Sequence, residues 1–321
     1  MPGTQGHSSQ MHLASPPAFS LFDCGSTAAL HPVHPMSASA TVTAARSDPS
    51  SAGGSGLEAR ACPHCGHSAH GDTRIERDIW RVVSCAGCGF VYLAEIPPLA
   101  AFAGEFAWDK TVEEEKVRRK EKQRVIQWLD TKTRWRLHMF KRPETSRFLQ
   151  EMVEAGPVLD LGCGNGKHAM NLPEAYTPYG IEIAPNLARE ADTTFKTRGG
   201  YCIAADSYSG LAQFEDGFFA GAMLNSYLEH DPNPMPVLTA LAPKMRPGAP
   251  VIVKVPNYGS WNAKVMGANW CGVRLPDHVN YFTPESLRAM AASAGYTVET
   301  PSGVNLPTND NMWMFLYARQ A

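Results

Sequence analysis

At 321 residues the chain has room for one full α/β domain with smaller pieces beside it. Its 29 Lys and Arg against 31 Asp and Glu leave a net charge of −2, which gives no global attraction to nucleic acid or to membrane surfaces. No apolar run approaches the ~20 residues that span a bilayer, the N-terminus lacks a basic segment leading into an apolar core, and four of the eight cysteines fall in C-x-x-C pairs, so a reducing, cytoplasmic setting is expected.

Residues 1–60 are rich in Ser, Ala, Pro and Gly and carry no hydrophobic period. Such a stretch cannot bury enough apolar surface to offset its ordering entropy, and a disordered tail is expected. Its histidines (His7, His12, His31, His34) read as incidental.

Residues 61–95 carry Cys62-Pro-His-Cys65 and Cys85-Ala-Gly-Cys88, with 19 residues between the pairs. Each pair can aim two thiolates at one ion from a tight knuckle, with Gly66 and Gly89 where the chain turns back. Four thiolates complete a tetrahedral zinc, and the spacing fits a zinc ribbon; a redox dithiol or an iron–sulfur site is the alternative. The stretches 79–83 and 90–93 read as paired strands, His64, His67 and His70 as bystanders. With all four positions filled by cysteine, such a zinc is structural.

Residues 96–150 form a predicted helical linker or lid. Between 109 and 151 there are 13 basic and 8 acidic side chains, and Val125, Trp128, Leu129, Trp135 and Met139 recur near the helical period. A solvated helix face is the plainer reading, a basic lid over an anionic substrate the functional one.

From 151 to 321 apolar runs and helical stretches alternate, as a doubly wound α/β sheet requires. Val158 to Leu161 reads as a buried parallel strand, followed by Gly162, Cys163, Gly164, Asn165 and Gly166. A turn with almost no side chains admits a ligand to the backbone, and a helix starting near Lys167 would point its first amides into the same space. The G-x-G-x-G spacing is neither the dinucleotide fingerprint nor a phosphate loop. Here the sequence resembles the class I S-adenosylmethionine-dependent methyltransferases, whose first motif Asp160, Gly162, Gly164 and Gly166 match position for position. The resemblance implies a seven-stranded Rossmann-like sheet with S-adenosyl-L-methionine across this turn.

Tyr179 to Ile183 is the predicted second strand, and Glu182 lies 22 residues after Asp160, near the offset at which an acid reaches a ribose hydroxyl. Cys202 to Asp206 is the third; by resemblance, Asp206 meets the adenine amino group. Cys163, Ile183 and Asn225 join the candidate cofactor set. The fourth strand, 218–224, runs into Asn225-Ser-Tyr-Leu-Glu-His230, similar to a segment of quinone O-methyltransferases in which an acid three places before the Glu joins Glu and His on a metal. Ser226 occupies that place, so Glu229 and His230 are expected beside the cofactor without a magnesium ion. A helix over 238–245, a fifth strand over 251–255, a helix capped by Thr283 with Pro284 at its first position and ended by Gly295, and strands near 296–298 and 312–317 complete the pattern.

The run Pro276, His278 and Phe282 resembles a stretch found in small-molecule members of this family and puts His278 at the methyl-acceptor end. His278 is thus a candidate general base, His230 a second, with Tyr258 and Trp270 lining the pocket. The ribbon-before-methyltransferase order resembles sugar C-methyltransferases, so the expected partner is a small metabolite or saccharide-type acceptor. An RNA methyltransferase gripping RNA through the ribbon, and a cofactor-binding protein without catalysis, remain the alternatives.

Overall fold

The computed structural model describes residues 56–98 and 144–319. The expected tail, apart from its last residues, and the central part of the linker (99–143, with its helical period) lie outside the described residues.

Upstream, the short segments between turns form β1 (Glu58–Ala59), β2 (His70–Arg77), β3 (Trp80–Cys85), β4 (Val91–Leu93) and β5 (Glu95–Ile96). β1 pairs antiparallel with β5, while β2, β3 and β4 make an antiparallel meander with Val82 opposite Leu93. The strands expected at 79–83 and 90–93 are therefore present as β3 and β4. β2 escaped sequence reading because it is a polar edge strand in which only Ile75 is buried.

Downstream, α1 (Thr145–Met152) precedes β6 (Gly156–Leu161), α2 (Lys167–Met170), β7 (Tyr176–Glu182), α3 (Pro185–Lys196), β8 (Tyr201–Ala204), α4 (Ser207–Leu211) and β9 (Gly221–Asn225). Then come α5 (Pro234–Leu241), β10 (Pro250–Pro256), α6 (Trp261–Met266), β11 (Asn280–Tyr281), α7 (Pro284–Ser293), β12 (Tyr296–Glu299) and β13 (Asn311–Ala318). The seven-stranded sheet has the order β12-β13-β10-β9-β6-β7-β8. β13 runs antiparallel to both its neighbours, and the remaining pairs are parallel. The chain winds outward from β6 through β7 to β8 and then returns to β9 on β6's other side. That reversal opens a crevice at the carboxyl ends of β6 and β9, where open α/β sheets bind ligands.

Close packing fixes the sheet's faces. Leu149 of α1 is fully buried, and a Cβ on Gly221 would lie 2.6 Å from its Cδ1, so α1 seats directly on β9. The expected helix at 238–245 starts earlier, at Pro234, because a proline fits the first turn, and it ends in a 3₁₀ turn, Ala242–Lys244. The stretch after β10 contains α6, capped by the Ser260 side chain accepting the Ala263 amide, and β11.

β11 pairs antiparallel with β4, Asn280 opposite Tyr92 and Tyr281 opposite Val91, so the ribbon sheet reads β11-β4-β3-β2. Phe90 of the ribbon meets Phe282 edge-on at 5.3 Å, and Cys62, Val83, Phe90 and Tyr92 share one buried cluster with Leu159 and Leu224 of the large sheet. The described residues thus form one compact unit.

Candidate active site

The turn after β6 shows why its glycines are required. Gly162, Gly164 and Gly166 have φ of 70, 54 and 83°. A Cβ on Gly162 would lie 2.4 Å from Tyr227 Cδ2, and one on Gly166 2.7 Å from Phe195 Cε1, whereas one on Gly164 would meet nothing within 4 Å. The outer glycines let the turn pack against its own domain; the middle one faces open space. Glu182 braces the turn, its Oε2 accepting the Gly164 amide at 2.9 Å and its Oε1 the Ala184 amide at 2.9 Å. A carboxylate has about four acceptor sites, so lone pairs remain on the side where Glu182 lines the cavity.

That cavity measures about 980 Å³, at the upper end of the roughly 300–1,000 Å³ typical of ligand sites, which is room for a nucleoside and a second molecule. Gly162, Cys163, Gly164, Glu182, Ile183 and Asp206 line one end, with Asn225 between the ends. Asp206 also caps α4 by accepting the Ser209 amide at 3.0 Å, and amide bonds from that turn hold its pKa down. Asn225 accepts the Thr145 hydroxyl at 3.0 Å. Asp160 and Gly166 are not among the lining residues. Asp160 is fully buried beneath the turn, where it takes the Ala169 amide and burial pushes its pKa up to about 7. Its role in the structure is to support the turn.

Glu229, His230 and His278 line the opposite end. β9 delivers the first two and the loop before β11 the third. His230 Nδ1 lies 2.9 Å from Asp277 Oδ1, and His278 Nδ1 lies 2.8 Å from the Gly272 carbonyl. The hydrogen-bond network therefore assigns the Nδ1 protons and leaves both Nε2 atoms without those partners. The two rings stand perpendicular with centroids 4.7 Å apart. Burial works to lower the pKa of His230, but the Asp277 charge and hydrogen bond outweigh it and raise the net value. His278 is driven well below the ordinary imidazole value by burial and by neighbouring His230, so it is neutral. Burial raises Glu229, whose Oε2 has no hydrogen-bond partner. Asp277, opposed by burial but favoured by His230, His278 and an ion pair with Arg274, stays ionised. Ligand atoms of Glu229, His230 and His278 all lie within 4.8 Å of one another, close enough to hold one cation.

Tyr258 and Trp270, expected on the pocket wall, are not there. Trp270 is buried with its Nε1 donating to Asp310 Oδ1 at 2.7 Å, and Tyr258 packs 6.1 Å from Trp270 and 5.5 Å from Tyr281. Both join an apolar cluster with ribbon residues Val82 and Leu93. The ribbon offers these aromatic faces a dry seat, and the wall is left to Cys271, Gly272 and Arg274. The sequence reading also passed over Asp277 as the partner of His230; its signal was a carboxylate adjoining His278, but only the loop's path shows which histidine it serves.

Cys62, Cys65, Cys85 and Cys88 converge, all four Sγ within 4.8 Å of one another. Cys62–Cys88 and Cys65–Cys85 are separated by 3.6 and 3.5 Å, close to the ~3.8 Å edge of a tetrahedron with ~2.3 Å zinc–sulfur bonds. The knuckles are closed by Gly66 N–H to Cys62 O at 2.9 Å and Gly89 N–H to Cys85 O at 3.0 Å, and both glycines have positive φ. The donor set fits structural zinc. His64, His67 and His70 are not members of this cluster.

A family profile described as a methyltransferase domain matches residues 134–300. Among curated proteins the chain is similar to ubiquinone biosynthesis O-methyltransferases: 25% identical over 172 residues to that of Aeromonas salmonicida, covering 49% of this chain and 69% of the relative. For that of Xanthomonas axonopodis the figures are 28% over 159 residues, 46% and 65%. The chain therefore spans about two thirds of the length of these relatives. Among solved structures it is similar to a SAM-dependent methyltransferase of Archaeoglobus fulgidus, with TM-score 0.43, 17% identity and coverage of 53% of this chain and 90% of that one. One from Methanosarcina mazei gives 0.40, 18%, 53% and 94%.

Proposed function

The chain belongs to the methyltransferase-domain family and is an S-adenosylmethionine-dependent methyltransferase; from that premise we propose that it methylates a small, hydroxyl-bearing or carbon-acid metabolite held against Glu229, His230 and His278. One observation carries the reading: a single cavity joins the glycine turn and Glu182 to the two histidines. When bound, the cofactor supplies an electrophilic sulfonium methyl. The backbone of Gly162 and Gly164 and the carboxylates of Glu182 and Asp206 would hold its nucleoside, with Cys163, Ile183 and Asn225 shaping the walls.

His230 is the favoured base, because Asp277 orients its ring and stabilises the imidazolium it becomes. Its Nε2 takes the proton of the acceptor. His278 stays neutral beside it, so no second cation opposes that step. The relatives' name, ubiquinone biosynthesis O-methyltransferase, agrees with a small acceptor. The RNA alternative is disfavoured by the net charge of −2.

The test is label transfer from methyl-labelled cofactor to a small-molecule cell extract and, separately, to RNA. Label in the small-molecule fraction, lost at least ~10²-fold in His230→Gln, supports the proposal. Label in RNA, or no transfer despite measurable heat with S-adenosylhomocysteine, would replace it with the RNA enzyme or the binding protein. The unpartnered Glu229 Oε2 favours one second reading, a divalent cation on Glu229, His230 and His278. Metal analysis separates the two: one zinc per chain for the base, a second bound ion for the cation site.

A further inference from the structure

The ribbon's place against the acceptor end gives it a task that the methyl-transfer reading leaves unassigned. Arg60 lies two residues before Cys62, its own amide bonded to Ala94 O at 2.8 Å. Its side chain does not stay in the ribbon. Nη1 donates to the Val279 carbonyl at 2.9 Å and to Leu93 O at 3.5 Å; Nη2 donates to the Pro232 carbonyl at 2.6 Å and to Asn280 Oδ1 at 2.9 Å. Asn280 passes the grip on, its Nδ2 donating to Leu228 O and Asp231 O at 2.7 Å each. The amides of Val279 and Asn280 both reach Glu229 O, at 2.8 and 3.1 Å. The segment carrying Glu229 and His230 and the segment carrying His278 are thus tied to each other and to the ribbon at one buried fork.

A packing role alone would not select this residue. Arg60 is 9% exposed, and burial lowers its pKa to about 10, partly offset by the charge of Asp231. An apolar side chain would fill the same space without desolvating a charge. What only a planar, multi-donor fork supplies is simultaneous, directional contact with several oxygens from different segments. We infer that Arg60 is a positioning residue for methyl transfer, through which the four-cysteine ribbon sets the placement of Glu229, His230 and His278. The ribbon is then a brace behind the acceptor site.

This inference rests on the methyltransferase reading for its turnover arm only. The experiment compares full-length, zinc-loaded wild type with Arg60→Met and Arg60→Lys. Zinc content and affinity for S-adenosylhomocysteine should stay within about twofold, because neither the cysteines nor the glycine turn touches the fork. Amide exchange at Val279 and Asn280 should speed up, and the ring resonances of His230 and His278 should move while that of His168, at the cofactor end, stays put. Label transfer should fall at least tenfold in Arg60→Met and recover in part in Arg60→Lys, which keeps the charge and up to three donors. Unmoved His230 and His278 resonances, or cofactor affinity falling in step with transfer, would overturn the assignment. If Arg60→Met does not fold, Arg60→Lys decides by the same readouts. If wild type transfers no label, the methyltransferase reading fails, and the exchange and resonance arms still judge Arg60.

Discussion

Asp277 acts on two histidines at once: it bonds His230 Nδ1 and lies among the charges that face His278. With His230 as the base, transfer should switch on as pH rises through a midpoint above the ordinary 6.5. Asp277→Asn removes the charge that raises it, so the midpoint should move to lower pH while the maximal rate falls by about 10²-fold. The stability effect has a definite sign. A group whose folded pKa is raised adds stability that is complete below its unfolded pKa and is lost as pH climbs through the folded value. The Tm gap between wild type and Asp277→Asn should therefore be widest below the ordinary imidazole value of 6.5 and narrow as pH rises past it, and a gap that widens would remove His230 as the partner that matters. The glycine turn gives a second contrast. Gly162→Ala combines a positive φ with a Cβ 2.4 Å from the partly buried Tyr227 ring and should cost roughly 2–4 kcal/mol. Gly164→Ala has open space around its Cβ and should cost about 1 kcal/mol while still weakening S-adenosylhomocysteine binding in calorimetry. These glycines and Glu182 were legible in sequence because their chemistry is local: a turn, a strand end, a short spacing. The His230–Asp277 pair was not, since it depends on how a long loop returns to the sheet.

At the scale of elements, α7 shows how much a start signal can specify. Thr283 accepts the Ser286 amide at 3.2 Å and Ser286 Oγ accepts the Thr283 amide at 2.9 Å, with Pro284 at the first helical position. Thr283→Ala should cost about 1 kcal/mol, which is a fall of about 2–4 °C in a domain of this size, and Thr283→Ser should restore it; equal melting of all three would show the cap to be idle. The central strands of the large sheet were readable for an equally plain reason. Strands buried on both faces are continuous apolar runs, as in Val251 to Val253, all fully buried. β11 has two residues and no period to read, and β2 faces solvent. Those are the strands that join and extend the ribbon sheet, so the ribbon's attachment to the acceptor end was hidden while both parts were visible. α6 was missed because exposed Trp261 and Val265 obscure its amphipathic pattern.

For the molecule as a whole, the shared cluster makes zinc removal more than a local event. In an isolated ribbon the metal contributes roughly 10–16 kcal/mol of apparent folding energy, and here the ribbon's Phe90 and Tyr92 are packed in the same core as Leu159, Leu224 and Phe282. Losing the metal should loosen the ribbon, free β11 from β4 and open part of that core to water. Chelated protein, or Cys65→Ser, is therefore expected to unfold in one transition at a lower temperature, with amide protection lost at Leu93, which donates to Val279 O, and at Tyr281 as well as around the cysteines. Cofactor affinity should persist just below that transition, because the glycine turn and Glu182 are braced by β6 and β7, on the other side of the cavity. Two separate transitions, with the large sheet melting where it does in the zinc-loaded protein, would instead make the ribbon an appendage and break the physical link between the four thiolates and the acceptor end.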